Sequence, residues 1–342
     1  MSPWWRALLT ALTMAATLAA FAPAVAATPD DSPRRGPIFI AIEPESGKIL
    51  ALCEKSGTIA RVDPRTGEIE AEARAGESPF AVARHPGEPR LYVSCRRGQE
   101  VVEVDGRTLE VLRRFPLRGD PTGVEVSADG RRLYTALHSL DEVAVLDIEK
   151  GVEIARLRAG NGPEFLKRSP ADGCIYVTNL LTSPVPPGRP SRDEITVIDD
   201  ATIRVAERIV LAGANVGRQI AFTDPGDWAI VAISRPKNLI PMTQVARGWV
   251  VTNGFALLAP GTGLPPFQLL VDLPNRAFAD LHAVAITPDD RKIYISSAGA
   301  DTVLAIDRRK LERVIDEVLA GAIPRYSDHL GLSRRHVTAR IP

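Results

Sequence analysis

Residues 121–160 read PTGVEVSADGRRLYTALHSLDEVAVLDIEKGVEIARLRAG, and this stretch holds one complete unit of a repeat. Four short apolar runs are separated by turn residues, with SADG after the first run and DIEKG after the third. Such runs, with turn residues between them, are typical of antiparallel strands joined by tight turns. The unit therefore predicts a small four-stranded sheet.

The unit recurs along the chain, and most copies are marked by an Asp at the end of a short apolar run. The markers are Asp63, Asp105, Asp147, Asp199 and Asp307, at spacings of 42, 42, 52 and 108 residues. The last spacing holds two units and an insertion, so six units are expected, at about 36–77, 78–119, 120–161, 162–214, 215–278 and 279–342. This pattern predicts an all-β protein, a β-propeller with about six four-stranded blades.

The connection between the third and fourth strands of a unit carries the marker Asp. A carboxylate that accepts backbone N–H groups in a turn explains five recurrences better than five catalytic acids do, so these residues are interpreted as structural. In the last unit the sequence KLERVIDEVLAG predicts one short helix that ends at Gly321. Its apolar stripe consists of Leu311, Val314, Ile315, Val318 and Leu319. We expect the stripe to pack on its own blade, with docking of a partner as the alternative.

The N-terminus, residues 1–27, has the features of a signal peptide. Arg6 and the amino terminus supply positive charge, an apolar run follows, and small residues around Ala26 offer a cleavage site. An uncleaved anchor is the alternative, although the run is rich in Ala and Thr and slightly short for a full span. The sequence thus predicts a periplasmic or secreted protein without a membrane span after cleavage, with a disordered leader at 28–36 and a propeller at 37–342.

Charge and cysteine content restrict the partners and cofactors. The chain has 42 basic and 42 acidic side chains and no basic run, which argues against nucleic acid as a partner. Cys53 and Cys95 occupy equivalent positions in neighbouring units, too far apart for a disulfide, which needs Cα atoms within about 7 Å. We expect these cysteines and Cys174 to be free. The histidines are scattered without ligand spacing, so no metal site and no cofactor are expected in this chain.

Two insertions, residues 180–194 and 235–250, interrupt the repeat between the second and third strands of their units. In a propeller such loops lie at the end where the innermost strands begin, so we expect them to form a partial lid over the central channel. Long loops on a rigid scaffold often carry function. The alternative is that both loops are surface excursions that pack on their own blades.

The mouth of the channel is predicted by aligning the innermost strands on Glu43, His85, Ser127, Ser169, Thr223 and Thr287. The residues five positions earlier are Ile38, Phe80, Thr122, Glu164, Arg218 and His282. The last three are polar and lie below the insertions, so they form a candidate ligand-binding site together with Arg235, Lys237, Arg247 and Trp249. The alternative is a Glu164–Arg218 salt bridge that only joins adjacent blades. No catalytic residue is assigned.

The residues Tyr176-Val177-Thr178-Asn179 form the YVTN signature, and the units resemble YVTN-type propeller repeats over nearly the whole mature chain. The segments 235–254 and 331–342, the latter reading GLSRRHVTARIP, are similar to exported bacterial propellers joined to a di-haem cytochrome c peroxidase-like module. That module is absent here, because the chain has no Cys-x-x-Cys-His sequence. The resemblance implies a c-type cytochrome or peroxidase-like partner, fused or separate. It also implies a seven-bladed ring.

These observations predict a non-catalytic exported propeller that binds or scaffolds a partner. The alternative is a lactonase-like hydrolase with its site at the channel mouth, although a metal-dependent version would need several carboxylates where the ring offers mainly Glu164. A surface-layer or adhesion protein would need longer arrays of uniform blades. Because no connector follows the last strand and no N-terminal strand is left to close the ring, we expect the sequence to be part of a longer propeller.

Overall fold

The computed structural model describes residues 36–186, 188–236, 250–327 and 329–342. These residues form six four-stranded antiparallel sheets, in each of which the strands follow one another in chain order, as in the blades of a β-propeller. The predicted fold class is therefore confirmed. The predicted signal peptide, most of the leader and the centre of the second insertion lie outside the described residues.

The strands of the first three blades have the following bounds. Blade 1 consists of β1 (Pro37–Ile42), β2 (Ile49–Cys53), β3 (Thr58–Val62) and β4 (Ile69–Arg74). Blade 2 consists of β5 (Pro79–Arg84), β6 (Arg90–Cys95), β7 (Glu100–Asp105) and β8 (Val111–Pro116). Blade 3 consists of β9 (Pro121–Val126), β10 (Arg132–Leu137), β11 (Glu142–Asp147) and β12 (Val152–Arg158).

The remaining strands are longer and less uniform. Blade 4 consists of β13 (Pro163–Arg168), β14 (Ile175–Asn179), β15 (Arg192–Asp199) and β16 (Arg204–Ala212). Blade 5 consists of β17 (Ile220–Phe222), β18 (Ala229–Pro236), β19 (Val251–Leu258) and β20 (Phe267–Leu270). Blade 6 consists of β21 (Leu281–Ile286), β22 (Lys292–Ser297), β23 (Thr302–Asp307) and β24 (Val337–Ile341), with the helix α1 (Arg308–Leu319) and a 3₁₀ turn (Leu332–Arg335) between its last two strands.

Burial changes from the second to the fourth strand of a blade. Every residue of β2 is buried, whereas β4 alternates between exposed and half-buried residues, as expected for an outer edge. A tyrosine recurs in the second strand, and Tyr92, Tyr134 and Tyr176 are all buried. One repeated position therefore contributes a core side chain to successive blades. The apolar runs read from the sequence are thus the strands that fill the core.

The marker aspartates lie in turns, as predicted. The carboxylate of Asp63 accepts the backbone N–H of Arg65 at 2.7 Å, and Asp105 accepts those of Arg107 and Thr108. The same type of hydrogen bond recurs at Asp147, Asp199 and Asp307. Each carboxylate satisfies N–H groups that the turn would otherwise leave without a partner, so the repeated Asp stabilises the connection.

The helix α1 begins directly after β23, with Asp307 as its N-cap. Leu311, Val314, Ile315 and Val318 are buried in a cluster that includes strands of blades 5 and 6, so the prediction that the stripe packs on its own blade is confirmed. Leu319 is 43% exposed and lies outside this core, because it is the last residue of the helix. The helix stands at the end of blade 6 opposite to the one where β21 begins.

The chain divides into two compact units. One unit contains the described residues up to 135 together with 146–152, and the other contains 136–145 and 153–342. Among the described residues, Cys53 and Cys95 in the first unit and Cys174 in the second form no disulfide. Among the described residues, no helix is long and apolar enough to cross a membrane.

Candidate functional site

The predicted alignment of the first strands is confirmed by one repeated hydrogen bond. The residue after each first strand donates its N–H to the carbonyl oxygen five positions later, at 2.9 or 3.0 Å, and these donors are Glu43, His85, Ser127, Ser169, Thr223 and Thr287. The candidate residues Glu164, Arg218 and His282 therefore occupy equivalent positions in blades 4, 5 and 6. All three lie in the second unit, at the end of each blade where its first strand begins, which we call the leading end.

Arg218 joins two carboxylates at this end. Its Nη1 donates to Glu164 Oε2 at 3.5 Å, and its Nη2 donates to Asp280 Oδ1 at 3.3 Å. Glu164 is buried, whereas 46% of the Asp280 side chain is exposed. Because the three residues come from three blades, the ion pairs stabilise the packing of those blades. The predicted Glu164–Arg218 contact is present, and we call these residues together with His282 the leading-end cluster.

Asp280 was not among the predicted site residues. It stands directly before β21 with a φ of 51°, in the left-handed region that Asp tolerates better than most residues. Ser78 and Gly162 take the same conformation directly before β5 and β13. The signal in the sequence was therefore a residue suited to positive φ immediately before the first strand, a feature that recurs in several blades but not in all.

His282 is held in place by packing. Its ring lies edge-on to Phe165 with centroids 6.2 Å apart, and its backbone oxygen accepts the N–H of Gln219 at 3.3 Å. Burial lowers the pKa of His282, and the positive charge of Arg218 lowers it further, while Asp280 opposes them. The imidazole is therefore neutral near pH 7 and can act as a hydrogen-bond donor or acceptor.

Of the other predicted residues, the structure describes only Arg235. Arg235, at the end of β18, donates from Nη1 to the backbone oxygen of Ser327 at 3.2 Å, so it ties blade 5 to the segment that follows α1. Lys237, Arg247 and Trp249 lie outside the described residues. Both insertions connect the second and third strands of their blades, as predicted, because residues 180–194 follow β14 and residues 235–250 follow the main part of β18.

A buried polar group lies beside the first insertion. Asp193, fully buried at the start of β15, accepts the N–H of Glu194 at Oδ1, and burial raises the pKa of its carboxyl to about 7. A Cβ on Gly217 would lie 2.7 Å from Asp193 Oδ2, so only glycine fits next to this carboxyl. Asn179, the last residue of the YVTN signature, donates to Glu194 O at 2.6 Å. This hydrogen bond ties β14 to β15, and the backbone of Asn179 lies against Gly217 in the connector that carries Arg218.

Within the described ranges, no group of three or more His, Cys, Asp or Glu side chains is arranged to hold a metal ion. The leading-end cluster instead offers one shared guanidinium, two carboxylates and a neutral imidazole. Such a set can bind a polar group by hydrogen bonds or serve as a rigid support for the loops at the same end.

No protein-family model matches the chain. Hydrazine synthase subunit beta of Kuenenia stuttgartiensis is 28% identical over 181 residues, which are 53% of this chain and 45% of that protein. The matched part thus spans less than half the length of this curated relative.

Solved structures show the same fold. Hydrazine synthase of Kuenenia stuttgartiensis superposes with a TM-score of 0.82 at 22% identity, covering 94% of this chain and 90% of that one. A streptogramin B lyase superposes with a TM-score of 0.62 at 15% identity, covering 82% of each chain. A putative 6-phosphogluconolactonase of Bacteroides uniformis gives 0.56 at 14% identity, covering 80% of this chain and 81% of that one. At these identities the likeness establishes the propeller fold.

Proposed function

We propose that this protein is a non-catalytic, exported propeller that works as a binding or scaffold subunit of a larger complex. The observation that carries the proposal is the similarity to hydrazine synthase, by sequence to a protein named as its beta subunit and by structure over 94% of this chain. Propellers serve many purposes, so the site must also agree with this function.

The leading-end cluster agrees with a supporting role. Arg218 is already engaged by two carboxylates, and His282 is packed against Phe165. Because these side chains contact one another across three blades, they fix the positions of those blades below the two insertions. A rigid end that presents long loops suits a protein-binding surface, because binding residues are commonly placed on loops that a rigid scaffold positions.

The partner we propose is a periplasmic c-type cytochrome or peroxidase-like protein, fused or separate. Support comes from the YVTN signature at 176–179, the resemblance of 235–254 and 331–342 to propellers joined to a di-haem module, and the signal-peptide features of 1–27. This chain contributes no haem attachment sequence, so the haem would belong to the partner.

The test is recovery of a haem protein with the tagged chain from cells that produce it naturally. Deletion of 237–247 should abolish stoichiometric recovery, measured by haem absorbance, without changing the thermal unfolding midpoint. Arg218→Ala in the same experiment shows whether Arg218 contacts the partner or only stabilises the fold. In the second case, recovery should fall only as far as the stability of the chain falls. Recovery that is unchanged by the deletion, or lost only in proportion to stability, would contradict the proposal.

A hydrolase is the second candidate, and one observation favours it. His282 is neutral and lies at the same end as the Glu164 carboxylate, an arrangement that could serve acid–base chemistry. Hydrolysis of simple lactones that disappears in His282→Ala, with the fold retained, would replace the scaffold proposal by this one.

A further inference from the structure

Three arginines lie near one another at the outer edge of blade 6. Arg276 lies in the connector between blades 5 and 6, Arg334 in the 3₁₀ turn, and Arg340 in β24. Arg276 Nη2 donates at 3.3 Å to the Oγ1 of Thr302, which is the first residue of β23. Arg340 pairs with Leu304 in the register of β23 and β24. We call Arg276, Arg334 and Arg340 the arginine cluster.

A buried aromatic ring fixes two of these side chains. The guanidinium carbon of Arg276 lies 5.1 Å from the centroid of the Phe278 ring, and that of Arg340 lies 5.4 Å from it. Phe278 itself is fully buried. Cation–π contacts of this kind hold the charged groups in defined positions. Arg340 Nη2 also reaches Ser333 Oγ at 3.5 Å, which ties the cluster to the 3₁₀ turn.

The guanidinium groups of the arginine cluster form no ion pair with a carboxylate in the described part of the chain. No described carboxylate lies within 4.0 Å of these three guanidinium groups, whereas both carboxylate oxygens of Glu317 hold the neighbouring Arg335. Burial lowers the pKa of Arg340, and the charges of Arg276 and Arg334 lower it further. Like charges held together repel each other, and a bound anion would relieve that repulsion.

We propose that the arginine cluster is a docking site for an acidic segment of a partner protein, bound through its Asp or Glu carboxylates. The guanidinium fork matches a carboxylate in two parallel hydrogen bonds. Arg276 and Arg334 are exposed and reachable, and arginine is enriched in protein interfaces and among the residues that contribute most to binding. A nucleic acid fits less well, because the whole chain has 42 basic and 42 acidic side chains.

This proposal rests on the proposed function, since it gives the chemistry of a surface that the partner subunit would contact. It uses residues separate from the leading-end cluster and from 237–247. The two can therefore be tested apart.

The probe is a fluorescently labelled peptide of alternating Glu and Gly, titrated with the full chain at low salt and followed by anisotropy. Arg276→Gln and Arg334→Gln should each weaken binding by about threefold, and the double variant by about tenfold, because an exposed charge pair contributes about 0.5–1 kcal/mol. Arg335→Gln removes the same charge from the same segment, but its guanidinium is already held by Glu317. This control variant should bind as the wild type does.

Several results would overturn the proposal. One is an absence of saturable peptide binding, and another is a loss of peptide affinity in Arg335→Gln equal to that in the cluster variants. A third is that duplex DNA binds more tightly than the peptide at the same salt concentration and depends on Arg276 in the same way. The last is displacement of the peptide by acetate at equal concentration. Peptide binding that persists while no haem protein is recovered from cells would leave the docking site standing and contradict the proposed function. If the double variant recovers the haem protein unchanged and the chain does not bind the peptide, the proposed function stands and the docking site is contradicted.

Discussion

Arg218 is the residue at which three blades meet, and its removal tests whether the leading-end cluster is a brace. Arg218→Ala takes away the cation beside Glu164, which is 5% exposed. Loss of one partner of a fully buried pair costs about 3–5 kcal/mol; here 19% of the Arg218 side chain is exposed and the contact is 3.5 Å long, so we expect about 2 kcal/mol.

Urea unfolding of Arg218→Ala measures this loss. Lys150→Ala is the control, because Lys150 pairs with Asp147 while 72% of its side chain is exposed, and such a pair contributes less than about 1 kcal/mol. Equal effects of the two substitutions would contradict the role of Arg218 as a brace.

Asp193 gives a pH-dependent prediction at the same scale. Its carboxyl has a pKa of about 7 in the folded protein against 3.8 as the ordinary value, because it is buried. Between these values the folded state holds one proton more than the unfolded state, so this residue makes the free energy of unfolding fall as pH rises from about 4 to 7. Above pH 7 its contribution is constant.

Asp193→Asn should remove that slope. The free energy of unfolding of the variant minus that of the wild type should rise with pH by at most about 1.4 kcal/mol per unit between pH 4 and 7, and then stay constant. His336→Phe is the control whose difference should change with pH in the opposite direction. Burial lowers the pKa of His336 to about 4, so below pH 6.5 protonation favours the unfolded state and lowers the free energy of unfolding of the wild type. A difference for Asp193→Asn that does not change with pH would contradict this prediction.

At the scale of the element, the helix α1 offers two leucines in contrasting positions. Leu311 is 2% exposed and packs in the core of blades 5 and 6, while Leu319 is 43% exposed. Leu311→Ala should therefore cost about 2–5 kcal/mol through lost burial and a cavity, and Leu319→Ala less than about 1 kcal/mol. Thermal and urea unfolding check both, and a similar loss in the two variants would show that the helix is not anchored as described.

The sequence predicted elements well wherever local chemistry repeats. The marker Asp and the turn after each first strand recur in one register, so six blades and their strands followed from spacing alone. The fine structure of the site did not follow in the same way. Asp280 as the second partner of Arg218, and Gly217 against Asp193, depend on how residues from different blades meet, and such contacts carry no fixed spacing in the sequence.

At the scale of the whole molecule, a neutral composition concealed a local charge. The chain has equal numbers of basic and acidic side chains, and basic runs are absent from it, yet the fold brings Arg276 from one connector next to Arg334 and Arg340 from the last segment. The balanced charge of the chain as a whole still disfavours binding of a polyanion. It does not apply to one edge of blade 6, where a partner can meet three arginines at once.

Binding of a partner at the leading end of blades 5 and 6 would slow hydrogen exchange there. Hydrogen exchange of the complex isolated from cells, compared with the free chain, measures this directly. We expect slower exchange in 235–254 and 331–342, with no change in 308–319 at the opposite end of blade 6. Protection confined to 308–319, or exchange identical in the complex and the free chain, would contradict it.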